Sequence, residues 1–355
     1  MTNQYIKHYQ NELERLEHQS MRRTLKVTES ACAPIMLING RETLTFCSND
    51  YLGLANHPDI LKALAEGVRT YGGGSGASHL ISGHSISHQR IDAALAKTQA
   101  RHISDVHALT LSTGYMANMA ILSALVLGFD ESESISIFSE ELNHASLIDS
   151  IRLVRNQKNV SVYLFDHLNT DQLEELLKRD VSDKKIIVSD AVFSMDGDIA
   201  NIPKLLELAE RFDALCVIDD AHGFGVLGHN GHGTLEHFNL SQNSRTIYMG
   251  TLGKAAGLSG AFIAAHQSII EWILQKGRAY IYTTASPPLI AHGLLTSIQL
   301  IESGITQKKL FENIRYFKEQ LKLQRWQLLE SITAIQPIVI GDNKITMKTA
   351  QRLFE

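Results

Sequence analysis

Three cysteines, Cys32, Cys47 and Cys216, are too few and too odd in number for a disulfide framework, and no metal-ligand spacing links them. They suit a reducing cytoplasm. Excess basic charge is missing as well: 33 lysines and arginines face 38 aspartates and glutamates, a net charge of -5, so no nucleic-acid footprint is expected. Residues 1–17 are polar and charged and do not read as a secretory signal. Repeats and low-complexity linkers are absent too. Only residues 106–129 form an uncharged stretch long enough to span a bilayer. Ser112, Thr113, Gly114 and Asn118 interrupt it, so it reads as a buried strand, a turn and a buried helix, and no membrane partner is expected.

What remains is the composition of a folded protein, 44% apolar and 20% charged, in a chain of 355 residues that can hold one large core and a smaller domain. Short apolar runs at 108–111, 134–138, 160–165, 186–188 and 215–218 alternate with helical stretches at 143–155, 170–179 and 203–212. That alternation predicts an α/β fold with a mostly parallel central sheet flanked by helices. Three parts follow. Residues 1–57 form an N-terminal arm with a strand at 42–46, residues 58–282 a large domain, and residues 283–355 a small α+β domain. The last contributes a strand at 335–340 and one helix start, and looks truncated.

Three segments carry possible chemistry. The run 215–218 ends in Asp219 and Asp220, with His222 close behind, where open α/β sheets place their ligands. The acids equally suit loop or helix capping. Lys254 lies among small residues after an apolar run; buried there, its pKa would fall and suit imine chemistry. Tyr248 and Ala255 stand where a P-loop needs Gly and Ser or Thr, and a plain loop lysine is the alternative. In the third segment, 109–118, a strand turns into a helix whose first amides, near Gly114 and Tyr115, could hold a phosphate; Ser112 and Thr113 could be no more than caps. No metal is expected: His229, His232 and His237 match no zinc pattern. The glycines at 72–76 lack the strand–turn–helix setting of a dinucleotide site.

Together these segments resemble the α-oxoamine synthases, fold-type-I pyridoxal-phosphate (PLP) enzymes. The resemblance runs from about Met21 to the end of the chain. It rests on Ser48-Asn-Asp-Tyr-Leu-Gly-Leu54, Gly74-Ser-Gly76, Asn143-His-Ala-Ser146, Val192-Phe-Ser-Met-Asp-Gly-Asp198, Asp219-Asp-Ala-His-Gly223, Thr251-Leu-Gly-Lys254 and Ser286-Pro-Pro288. It implies a PLP-dependent acyltransferase that condenses an amino acid with an acyl thioester and releases CO2. Asp219-Asp-Ala-His-Gly223 followed by Phe-Gly-Val looks most like the members that serve biotin biosynthesis, joining L-alanine to pimeloyl-CoA or pimeloyl-acyl carrier protein.

The resemblance also implies roles. Lys254 would bond the cofactor and later act as base. Asp219 would pair with the pyridine nitrogen. His222 and Ser194 would hold the phenolic oxygen, and His144 would stack on the ring, unless it only caps a helix. Gly114, Tyr115 and Thr251 would hold the phosphate, with Thr283 or Thr284 reaching a neighbouring subunit's phosphate in a homodimer. Arg22, or its neighbour Arg23, would contact substrate, and Asn49 would lie near the substrate carboxylate. Two departures stand out. Ala255 replaces a glycine and would narrow the approach to the cofactor. The family's small domain also continues past the position of Glu355 with an arginine and a threonine that nothing here matches. The rival readings are a glycine C-acetyltransferase or other family member, and a catalytically incomplete cofactor-binding dimerisation module.

Overall fold

A computed structural model describes residues 3–355. The chain opens with α1 (Gln4–His18), which buries no residue, and a small hairpin of β1 (Ile35–Ile38) and β2 (Arg41–Leu44). Next comes α2 (Pro58–Tyr71), with proline in its first turn as the sequence suggests and His57 accepting the Asp59 N–H as N-cap. A π-helical turn (His79–Gly83) leads into α3 (Ile86–Gln99).

Strands and helices then alternate: β3 (Val106–Leu111), α4 (Gly114–Val126), β4 (Ile135–Glu140), α5 (Ala145–Val154), β5 (Val160–Phe165), α6 (Thr170–Arg179), β6 (Lys184–Asp190), α7 (Ile202–Arg211), β7 (Ala214–Asp219), α8 (Thr234–His237), β8 (Thr246–Thr251), β9 (Ala261–His266), α9 (Gln267–Lys276) and α10 (Arg278–Ile281). The uncharged stretch 106–129 is thus β3, a turn and α4, and among the described residues no helix is long and apolar enough to cross a membrane.

Strands β3 to β9 form one sheet, ordered β3-β9-β8-β7-β6-β4-β5. Five neighbours, β5, β4, β6, β7 and β8, run parallel; β9 is antiparallel to both β8 and β3. The sheet is therefore mostly parallel, as expected. Its central strands are buried along most of their length because helices cover both faces. Ile60, Ile91, Leu173 and Leu205, from α2, α3, α6 and α7, pack on one face, while Ala117, Leu147 and Ile270, from α4, α5 and α9, pack on the other.

After the sheet, α11 (Pro288–Glu302) crosses closely over α2, where the Leu289 Cα leaves no room for a side chain at Gly67. Then follow α12 (Ile305–Gln320), β10 (Gln327–Leu328), β11 (Ile338–Val339) and α13 (Asn343–Phe354). The expected strand at 335–340 contracts to two residues, because its antiparallel partner β10 is equally short. Ser331 and Thr333 tie this region to the large domain by donating to the Gly197 carbonyl at 2.6 and 3.1 Å.

Candidate active site

A cavity of about 320 Å³ opens at the carboxyl edge of the sheet. Asp219 ends β7 on its floor, only 4% exposed. Its Oδ2 accepts from Asn118 Nδ2 at 2.7 Å and its Oδ1 from the Ala221 amide at 3.0 Å. Burial pushes the Asp219 carboxyl up, and the Asn118 bond with the nearby Lys254 charge pulls against it. Beside it in the sheet register, Asp190 ends β6, with Oδ2 accepting the His144 amide at 3.1 Å and Oδ1 buried without a partner among the described residues. Burial first, then the Asp219 charge, hold Asp190 well above the usual carboxylate range. Two buried acids side by side form the floor, and whichever of them is ionised draws a cation.

Lys254 stands on the connection between β8 and β9. That loop is closed by Leu252 N–H to Gly260 O (2.8 Å), Leu258 N–H to Leu252 O (3.0 Å) and Gly257 N–H to Lys254 O (2.8 Å). From outside, Ser297 of α11 donates to the Ala256 carbonyl at 2.6 Å. The Lys254 Nζ lies 3.1 Å from His222 Nε2. Burial depresses its pKa, while Asp219 and Asp190 oppose the shift. Burial, then the Lys254 charge, push His222 down to about 3, so its imidazole is neutral. The other His222 nitrogen, Nδ1, meets the Tyr51 hydroxyl at 2.7 Å.

His144 does two things at once. It caps α5, its Nδ1 accepting the Ser146 amide at 3.2 Å, and it also lines the cavity. Opposite the carboxylates, α4 begins at Gly114. Thr113 Oγ1 caps the Met116 amide, leaving the Gly114 and Tyr115 N–H groups without a partner inside the helix. A Cβ at Gly114 would lie 3.0 Å from Thr251 Cγ2, so a side chain here would crowd this corner. Free amides at a helix start, with Thr251 beside them, suit a phosphate.

The residues therefore fit PLP: amides for its phosphate, an amine for its aldehyde and a buried acid pair for its ring nitrogen. Asn49 also lines the cavity. Ser194, half-buried in the loop after β6, is not among the lining residues; neither are Thr283 and Thr284, between α10 and α11. Arg22 is exposed and reaches Glu17 at 3.5 Å. The expected narrowing by Ala255 does not occur. That residue is fully buried outside the cavity wall, and its methyl faces Gly225, where a Cβ would meet it at 2.6 Å.

Asp190, Asn118 and Tyr51 went unread in the sequence; only Asp190, an acid closing an apolar run just as Asp219 does, left a signal there. Away from the cavity, ring nitrogens of His79, His84 and His88 lie within 4.8 Å of one another. Nevertheless His88 already uses Nδ1 on the Ser85 amide (3.1 Å) and Nε2 on the Ser286 carbonyl (3.0 Å), so the group is a hydrogen-bonded cluster.

Comparison with known proteins agrees with this geometry. The family model of class I and II aminotransferases matches residues 41–355. An 8-amino-7-oxononanoate synthase from Janthinobacterium sp. (strain Marseille) is 52% identical, over 99% of this chain and 88% of its own length. Among solved structures, serine palmitoyltransferase from S. paucimobilis, with a PLP–myriocin aldimine bound, superposes with a TM-score of 0.87 at 25% identity, covering 99% of this chain and 90% of that one. An 8-amino-7-oxononanoate synthase from Francisella tularensis gives 0.71 at 30% identity, covering 87% and 84%. By sequence, fold and site chemistry, the chain belongs to the α-oxoamine synthases, fold-type-I PLP enzymes that condense an amino acid with an acyl thioester.

Proposed function

We propose that this protein condenses L-alanine with a pimeloyl thioester, on coenzyme A or acyl carrier protein, to give 8-amino-7-oxononanoate and CO2 for biotin biosynthesis. The observation that carries the reading is the convergence of Lys254, Asp219, His222, His144 and the Gly114 turn on one cavity. The 52% identity to an 8-amino-7-oxononanoate synthase supports this reaction over others in the family. When bound, PLP supplies the electron sink that stabilises a carbanion at the amino acid's Cα.

The protein's own groups do the rest. Lys254 Nζ would bond the cofactor's aldehyde carbon and, once freed, would take the Cα proton; burial, which lowers its pKa, favours the uncharged amine that this needs. Asp219 keeps a proton on the pyridine nitrogen. His222 would hold the phenolic oxygen; the resemblance also assigns Ser194 there, from a loop outside the cavity lining. His144 would cover one ring face, and its capping bond to the Ser146 amide restrains the imidazole for that. Gly114, Tyr115 and Thr251 hold the phosphate. Thr283 or Thr284 serves the phosphate of a second copy in a homodimer, and Asn49 with Arg22 or Arg23 contacts substrate. The enzyme works in the cytoplasm.

Purified protein loaded with PLP and given L-alanine should release coenzyme A from pimeloyl-CoA. Release with glycine and acetyl-CoA, but not with this pair, would replace the proposal with a glycine C-acetyltransferase. A cofactor-loaded protein that releases coenzyme A with no pair would be a binding module.

A further inference from the structure

Tyr51 stands in the Ser48–Leu54 motif and has no role in the reaction just described. Its hydroxyl contacts two groups, His222 Nδ1 at 2.7 Å and Asn49 Oδ1 at 3.3 Å. The far side of the imidazole, Nε2, lies 3.1 Å from Lys254 Nζ. Phenol, imidazole and amine thus form a continuous line from the half-buried Tyr51 hydroxyl to the cavity.

The protons on this line can be placed. A neutral His222 carries a single ring proton, on Nδ1 or on Nε2. Burial drives the Tyr51 phenol well above its ordinary pKa, so it keeps its one hydrogen. Of its two acceptors, His222 Nδ1 at 2.7 Å is within the usual range for an O–H donor, whereas Asn49 Oδ1 at 3.3 Å is long. Donation to Nδ1 forces the imidazole hydrogen onto Nε2. There it faces Lys254 Nζ at 3.1 Å, which accepts it whenever the amine is unprotonated, the form that burial favours.

We propose that Tyr51 is a positioning residue that locks His222 in its Nε2–H tautomer, so the imidazole always presents a donor beside Lys254. Its consequence in the loaded enzyme rests on the phenolic oxygen lying next to His222, as set out above; the tautomer itself does not. Without the Tyr51 hydroxyl, the ring proton is free to sit on Nδ1. Nε2 then becomes an acceptor and repels an anionic oxygen.

The test is nitrogen NMR on the full chain labelled at histidine, with and without PLP, the His222 signals being assigned by their loss in His222→Gln. The expected result is a protonated Nε2 and a bare Nδ1 in the parent chain. In Tyr51→Phe, Nδ1 should move toward the protonated range while the melting temperature stays near that of the parent. A protonated Nδ1 in the parent, or an unchanged tautomer in folded Tyr51→Phe, overturns the inference. If the variant does not fold, the parent spectrum alone decides. A second readout is the pH at which the visible band of bound PLP changes. It should move by about one unit in Tyr51→Phe, the size of one lost buried hydrogen bond; no movement in a loaded, folded variant counts against the inference. Should no visible band form in either protein while the tautomer is as expected, the cofactor placement fails and the Tyr51 inference stands.

Discussion

Asn118 Nδ2 lies 2.7 Å from Asp219 Oδ2 and 2.8 Å from Ser146 Oγ, so one buried amide holds both the floor carboxylate and, through Ser146, the His144 ring. The side chain is fully buried, and nothing else among the described residues reaches Asp219 Oδ2. Asn118→Ala should therefore leave that oxygen without a donor, shift Asp219 further toward its protonated form and weaken PLP binding about tenfold. A fluorescence titration of apo-protein with PLP measures it.

Removal of the amine has a different signature. Lys254→Ala should fold with an unchanged melting temperature, lose PLP on dialysis and give no borohydride-stable adduct. The parent, reduced with borohydride, should carry the cofactor's mass on the peptide containing Lys254. Reduction onto another lysine would refute its assignment.

The phosphate corner is tested by filling it. In Gly114→Ala the new methyl meets Thr251 Cγ2 at 3.0 Å, tighter than ordinary packing. We expect PLP affinity to fall about tenfold, and Thr251→Ser, which removes that methyl, to restore part of the loss in the double variant. Equilibrium dialysis of the single and double variants against PLP shows whether the two sites couple.

Asp220 gives a pH prediction. Fully buried, it is pushed up from 3.8 to about 7, chiefly by burial, while accepting from Thr234 and Tyr248. A carboxyl whose folded pKa is raised stabilises fully below about 4 and loses that stabilisation as pH rises through about 7. Asp220→Asn carries no titrating group. Its stability relative to the parent should therefore rise from pH 4 to pH 7, by at most ~1.4 kcal/mol per pH unit. Urea melts of both proteins at three pH values settle the slope.

Ala255→Gly should behave as a packing change. The methyl lies against Gly225 outside the cavity, so its loss should cost about 1 kcal/mol of stability and leave PLP affinity unchanged.

Much of this architecture was legible because it is local. Apolar runs of three to six residues became strands of the sheet, and their ends at Asp219 and near Lys254 marked the site. Asp190 was missed because the apolar run seemed to stop at Val188, two residues short of the carboxylate that closes β6. Asn118 and Tyr51 lie in segments that the sequence singled out, but their roles were not legible there, since their partners are 101 and 171 residues away. The hairpin strand β1 went unread, and the C-terminal strand shrank, because both depend on what lies opposite rather than on their own pattern.

The antiparallel course of β9 has a consequence for binding. Had β9 run parallel to β8, the chain would have had to cross over the sheet after Lys254, and that loop would be anchored at one end only. Instead residues 252–260 leave and rejoin the same edge, and Leu252 bonds both Gly260 and Leu258 across the loop's base. The amine is held in a preorganised closed loop before any ligand arrives, so little conformational entropy remains to be lost when one binds.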